Sequence, residues 1–221
     1  MNTPALPPVI RVGDFRANCW FYPIEGPEAE GGARPCCLID PGAEPERILE
    51  ELRRQKRYAA FILLTHGHFD HLGALPQVRA SDRVLAIHRR DAPYLGAESR
   101  SAHAEAFHHL GLDFLLNEVW RPLPEADRLL EDGETIGPFT VLHLPGHSPG
   151  SAGFYDAAAG VLFSGDTLFA GGGRGRCDLP GGDEAALRKS LARLMTLPPE
   201  TLVCPGHGGV TTIGAERPRW D

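Results

Sequence analysis

The chain has 221 residues, 42% of them hydrophobic and 23% charged, a balance that supports a buried core and argues against disorder. Its formal net charge is -7 and it carries no run of Lys and Arg, which argues against nucleic acid as a partner. No apolar stretch approaches the roughly 18 residues of a spanning helix, so no membrane partner is expected.

In chain order, Val9–Val12, Cys19–Tyr22 and Cys36–Ile39 read as strands, with a Gly/Pro/Glu-rich loop at 23–35. Pro45–Lys56 reads as a helix with Ile48, Leu49 and Leu52 on its inner face. Ala59–Leu64 is apolar without alternation, as in a strand covered on both faces. A helix from Leu72 and a strand at Val84–Ile87 follow. The segment at about 94–124 carries Ala102, Ala106 and Leu110 at helical spacing, and reads as a helical insertion on the surface, with a lid as the alternative. In the second half, Phe139–Leu144, Ala152–Tyr155, Val161–Phe163 and Thr201–Cys204 read as strands. Asp183–Met195 reads as a helix with Ala186, Leu187, Leu191 and Leu194 on one face. The strands–helix–strand–helix order occurs once in each half, which suggests two similar layers face to face in a single domain, 1–221.

The five cysteines form no even framework and no C-x-x-C pair, so reduced thiols and a cytoplasmic location are expected. Cys36 and Cys37, adjacent in an apolar run, read as packing residues. Histidine is the unusual residue, with 10 copies. Thr65-His66-Gly67-His68-Phe69-Asp70-His71 places three histidines and a carboxylate directly after a buried strand. In an extended segment His66, His68 and Asp70 share a face, and a turn at Gly67 with a helix start lets His71 join from the side. Imidazole and carboxylate suit zinc and other borderline divalent ions. Three further strand ends carry residues of the same type beside glycine: His147 in H-L-P-G-H-S-P-G, Asp166 in L-F-S-G-D-T-L-F, and His207 in V-C-P-G-H-G-G. Four such strand ends argue more strongly than any one. His88, His103, His108, His109 and His143 fit no such pattern and read as ordinary side chains.

T-H-G-H-F-D-H resembles the H-x-H-x-D-H signature of the metallo-β-lactamase superfamily, and L-P-G-H-S-P-G-S, S-G-D-T-L-F and P-G-H-G resemble its later motifs in the same order. The match runs from D-P-G at Asp40 almost to the end and is nearest to short glyoxalase II-like (hydroxyacylglutathione hydrolase-like) enzymes. The resemblance implies an α/β fold, a four-layer αββα sandwich with the metals at the sheets' edges. It implies a first metal on His66, His68 and His147, a second on Asp70, His71 and His207, and Asp166 bridging both. The cofactors implied are two divalent ions, zinc in the first place and iron or manganese otherwise. The activity implied is hydrolysis by a metal-bridging hydroxide, with Asp70 also orienting the nucleophile and no covalent intermediate. The expected partner is a small acyl thioester.

Class B β-lactamases usually carry Cys or Ser where this chain has Asp166, which argues against drug hydrolysis. Where glyoxalase II enzymes carry a substrate-loop lysine and tyrosine, this chain has G-G-G-R-G-R-C-D-L-P. Arg176 there is a candidate to hold a substrate carboxylate with its planar fork, whereas Asp178 does not replace the tyrosine. The alternative function is a persulfide dioxygenase with one iron on His66, His147 and Asp166. A metal-binding module without turnover is the weaker third reading.

Overall fold

Strand alternation sends neighbouring side chains to opposite faces, and here both faces of two sheets are covered. The computed structural model describes residues 5–29 and 31–220; residues 1–4, 30 and 221, which the single-domain expectation includes, lie outside the described residues. The first half contains β1 (Val9–Val12), β2 (Ala17–Pro23), β3 (Arg34–Ile39), α1 (Pro45–Arg54), β4 (Arg57–Leu64), α2 (Phe69–Leu72), α3 (Leu75–Val78), β5 (Val84–His88), α4 (Arg100–His109), α5 (Asp113–Val119) and β6 (Arg128–Leu130). The second contains β7 (Thr135–Ile136), β8 (Phe139–His143), β9 (Ala152–Asp156), β10 (Val161–Gly165), α6 (Glu184–Leu194), β11 (Leu202–Pro205), β12 (Thr211–Thr212) and α7 (Ile213–Glu216). Strands β1 to β6 form one sheet in sequence order, and β7 to β12 form the other.

Three apolar clusters separate four layers, the αββα arrangement the motifs imply. Cys36 and Leu38 of β3 and Ile62 and Leu64 of β4 face Ile48 and Leu52 of α1 on the outside of the first sheet. Cys37, Ile39 and Leu63, one position out of phase, face Phe139, Phe154 and Phe163 across the space between the sheets. Leu162 and Val203 face Leu187, Leu191 and Leu194 of α6 on the outside of the second sheet. Cys36 and Cys37 thus pack into two different layers, and burial pushes the Cys36 thiol up to about 12.

The helices follow from local chemistry. Pro45 starts α1 at a position where its missing N–H costs nothing. The Asp183 carboxylate caps α6 by accepting from the Ala186 N–H. Two boundaries are tighter than periodicity suggests, at Arg54 and Leu194, and the helix expected from Leu72 is instead two single turns, α2 and α3. No helix of the described residues is long and apolar enough to cross a membrane.

Two features of this topology position the site. β3, β4 and β5 run parallel, as do β10 and β11, while β8 reaches the same direction through the antiparallel β9. The sheets are also joined directly: Asn18 Nδ2 and Trp20 Nε1 of β2 donate to the Pro205 carbonyl of β11 at 2.9 and 3.1 Å, and the Ala152 N–H donates to the Thr65 carbonyl at 2.8 Å.

Phe163 sits at the centre of the inter-sheet layer, with ring centroids 5.8 Å from Trp20, 5.5 Å from Tyr22 and 5.7 Å from Phe139. Phe163→Ala is expected to lower unfolding free energy by about 3–5 kcal/mol, and Asp183→Ala at the α6 cap by about 1 kcal/mol. Urea unfolding of both variants measures the contrast; similar losses would show that the inter-sheet cluster is not the main core.

Candidate metal centre

The polar residues expected at strand ends all lie at one edge. His66 follows β4, His147 lies in the loop after β8, Asp166 follows β10 and His207 follows β11. His66 and His68 share a face as two-apart residues do, with ring centroids 4.8 Å apart. Asp70 does not continue that face. His68 is the extended residue before α2 (φ -72, ψ 145), and the helical turn carries Asp70 and His71 toward His207 instead. The chain therefore divides its ligand-type atoms into two groups, His66/His68/His147 and Asp70/His71/His207.

In the first group, His147 Nε2 lies 2.8 Å from His68 Nδ1 and 3.2 Å from His66 Nε2. In the second, His71 Nε2 lies 3.2 Å from His207 Nε2, and Asp70 Oδ2 lies 3.3 Å from His207 Nε2 and 3.6 Å from His71 Nε2. Asp166 stands between them. Its Oδ2 is 3.6 Å from His147 Nε2 and 3.5 Å from His207 Nε2, while Oδ1 is 3.6 Å from His71 Nε2 and buried without a hydrogen-bond partner among the described residues. The backbone of Gly206 runs so close that a Cβ there would overlap Asp166 Oδ1 and crowd the His71 ring.

The outward nitrogens decide what the inward ones can do. His71 Nδ1 faces Asp40 Oδ2 at 3.0 Å, His147 Nδ1 faces the Arg176 carbonyl at 2.6 Å, and His207 Nδ1 faces the Phe15 carbonyl at 3.1 Å. Each acceptor takes a proton from Nδ1, so in the neutral ring Nε2 presents a lone pair to the centre. His66 Nδ1 is 3.0 Å from Thr65 Oγ1, whose own proton goes to Asp40 Oδ2 at 2.7 Å. In the first group the inward Nε2 lone pairs of His66 and His147 lie 3.2 Å apart and cannot hydrogen-bond to each other, and the buried His68 Nε2 has no partner among the described residues. A divalent cation satisfies them, and the orphaned Asp166 oxygen fits the same explanation.

Protonation preferences divide the groups further. Burial, then the neighbouring rings, holds His66 and His68 well below the usual histidine range. Burial also opposes charge on His71, but Asp70, Asp166 and Asp40 outweigh it and raise that ring to about 10. His207 moves upward in the same way, through Asp70 and Asp166 against its burial.

Two aspartates that sequence reading did not single out as site residues hold this arrangement. Asp40, at φ 54 after β3, accepts from the Thr65 N–H and Oγ1 and from His71. Its oxygens group with His66 and His71 within metal-binding distance, yet they are committed to these donors. Asp40 carries the strand-end signal of the other candidates. Asp91 is buried and accepts from the Gly67 N–H (2.8 Å), Ser148 Oγ (2.6 Å) and the Gly150 N–H (2.5 Å), tying the His66–His71 loop to the His147 loop. It lies in a 3₁₀ turn, where no pattern marked it.

The centre forms the floor of a cleft of about 480 Å³, where His68, Asp70, His147 and Asp166 line the base and α4 and α5 form one wall. Arg176 also lines the cleft, but its Nε and Nη2 are both on Asp178 at 2.7 Å, so the fork expected to hold a substrate carboxylate is already occupied. The remaining histidines stay out of both groups. His88 and His143 stack at 4.0 Å, His103 Nε2 bonds to the Tyr94 carbonyl, and His108 and His109 are exposed.

The sequence matches the metallo-β-lactamase superfamily over residues 15–207. The chain belongs to that superfamily. Its two mixed sheets flanked by helices are the metallo-β-lactamase fold. It is similar to hydroxyacylglutathione hydrolase GloC of Haemophilus influenzae, with 37% identity over 210 residues that cover 95% of this chain and 93% of the relative. Among solved structures it resembles TTHA1623 in a di-iron-bound form, at 41% identity and TM-score 0.77, and BLEG-1 B3 metallo-β-lactamase, at 34% and 0.76. Both comparisons cover 96% of each chain.

Removing the Asp40 carboxylate frees the rings of His71 and His66, so Asp40→Ala is expected to weaken metal binding by about 10–100-fold, read by competition with a chelator. Unchanged affinity would show that the rings are held without it. Metal uptake must also displace the His71 proton at neutral pH. Affinity should therefore rise with pH below about 10, by about tenfold per unit for that one proton. Calorimetry in two buffers of different ionisation heat measures the release; no released proton at pH 7 contradicts a charged His71.

Proposed function

We propose that the protein is a dinuclear metal-dependent hydrolase acting on small acyl thioesters. The observation that carries this reading is the pair of complete three-residue groups joined by Asp166. His66, His68 and His147 would hold one ion, Asp70, His71 and His207 the other, and Asp166 both. A pair of divalent ions supplies Lewis-acid polarisation of a carbonyl and acidifies water toward a pKa of about 7. The ligand types suit zinc, and iron or manganese are the alternatives.

The chain's own residues bind and orient. Asp70 lines the cleft floor and turns Oδ2 toward His207 and His71, which suits it to align the nucleophile's proton. The cleft wall excludes water from one side of the substrate, which strengthens the electrostatics of the floor. A thiolate leaving group needs little protonation, since an ordinary thiol has a pKa of about 8.5. The GloC likeness supports the thioester, and the di-iron form of TTHA1623 supports two ions. A persulfide dioxygenase would need one iron, on His66, His147 and Asp166, and leaves the second group without a task.

Purified protein is expected to hold two metals per chain and to hydrolyse S-acetyl-N-acetylcysteamine, with loss of activity on chelation. His68→Ala should abolish turnover, and His108→Ala, an exposed residue paired with Asp113, should change it less than about twofold. One iron per chain with oxygen uptake on glutathione persulfide would overturn the proposal in favour of the dioxygenase. Rapid cleavage of a chromogenic cephalosporin with thioesters left intact would overturn the substrate class.

A further inference from the structure

The 94–124 segment does more than cover the surface. Ala106 and Phe107 of α4 and Leu116 of α5 are buried, yet they belong to none of the three core clusters that stabilise the sandwich. Phe107 packs against Phe69, the residue between His68 and Asp70, with ring centroids 5.8 Å apart. From there the apolar lining of the cleft includes Leu110, Leu112, Leu115 and Val119, and Phe15, 57% exposed, lines it too. An isolated exposed apolar residue needs no explanation, but these side chains line one cleft, and Phe107 among them packs beside the ligand loop.

Charge points the same way. The cationic residues lining the cleft are Arg174 and Arg176, and both are paired: Arg174 with Glu184 at 2.7 Å, Arg176 with Asp178 through two bonds. Asp14 adds negative charge to the lining, while Glu44 is itself paired, with Arg47 at 2.6 Å. A glutathione carrier brings two carboxylates, and among the described lining residues each would have to compete with Glu184 or Asp178 for its arginine. A neutral alkyl chain loses nothing there and gains by leaving water.

Resting on the thioester reading, we infer that the α4–α5 wall is an acyl-chain subsite and that the preferred substrates carry an apolar acyl group of medium length on a carrier that is not held through its carboxylates. Phe107 and Leu115 are specificity-determining residues for that chain. The reaction is simple hydrolysis: the C–S bond breaks, a C–O bond forms from water, and the products are an alkanoate and a free thiol.

The test uses the metal-loaded full chain and N-acetylcysteamine thioesters from acetyl to octanoyl, with the octanoyl ester of glutathione alongside. Burial of each methylene is expected to raise kcat/KM by up to about fourfold, giving at least a tenfold gain from acetyl to octanoyl. The glutathione ester should bring no further gain. Leu115→Gln and Phe107→Ala should reduce the octanoyl-to-acetyl ratio severalfold while metal content stays at the wild-type value. A binding readout independent of turnover is N-ethyloctanamide, whose chain is on the acyl side, on chelator-treated protein by calorimetry. It should bind with a negative heat-capacity change that N-ethylacetamide lacks and that Leu115→Gln diminishes. A flat chain-length series, a tenfold preference for the glutathione ester, or wild-type ratios in both variants would overturn the subsite. Failure to cleave any thioester would instead remove the thioester reading, and N-ethyloctanamide binding would still report on the wall.

Discussion

The structure depends on the fixing of imidazole rings from behind. A ring can offer a lone pair to a shared centre only if its other nitrogen is held as a donor, and here the acceptors are Asp40, the Arg176 carbonyl and the Phe15 carbonyl. None of these acceptors is close in sequence to the ring it holds. Asp40 also accepts from Thr65, whose hydroxyl meets the His66 ring, so one carboxylate orients a ring in each group. Asp91 does for the loops what Asp40 does for the rings, by pinning Gly67 to Ser148 and Gly150.

Such a cluster is costly to bury without a cation, because the His66 and His147 lone pairs face each other and an Asp166 oxygen is left without a donor among the described residues. The protonation pattern shows how the chain reduces that cost. His66 and His68 are held neutral, while His71 and His207, with Asp70 beside them and Asp166 near them, favour protonation. The second group is therefore the one whose occupation is most strongly coupled to pH.

The scaffold and the substrate wall have different physical origins. Ligand positions come from ends of parallel strands, which the three-layer core and the cross-links at Pro205 and Thr65 keep rigid. The wall comes from α4 and α5, whose apolar side chains largely stand apart from that core. Changes in the wall can redirect substrate choice without disturbing the centre, which is how loops and insertions on a rigid fold commonly act.

The strands and the candidate ligands were legible in the sequence for local reasons. A fully apolar run such as Ala59–Leu64 has few alternatives to a covered strand, and histidine or aspartate at its end, beside glycine, is a chemically rare combination. The short strands β6, β7 and β12 were not legible, since two or three residues carry no periodicity and their pairing is decided by the neighbouring strand. Asp70 was placed with the wrong face by the two-apart rule, because the turn into α2 intervenes, and its partners are set by that turn. The occupied fork of Arg176, the supporting roles of Asp40 and Asp91, and the facing of α4 and α5 toward the cleft were decided by tertiary structure alone. Residue type and spacing encode what a side chain can do; the partner that commits it arrives from 25 to 57 positions away in the cases of Asp40 with Thr65 and Asp91 with Ser148, and only folding brings them together.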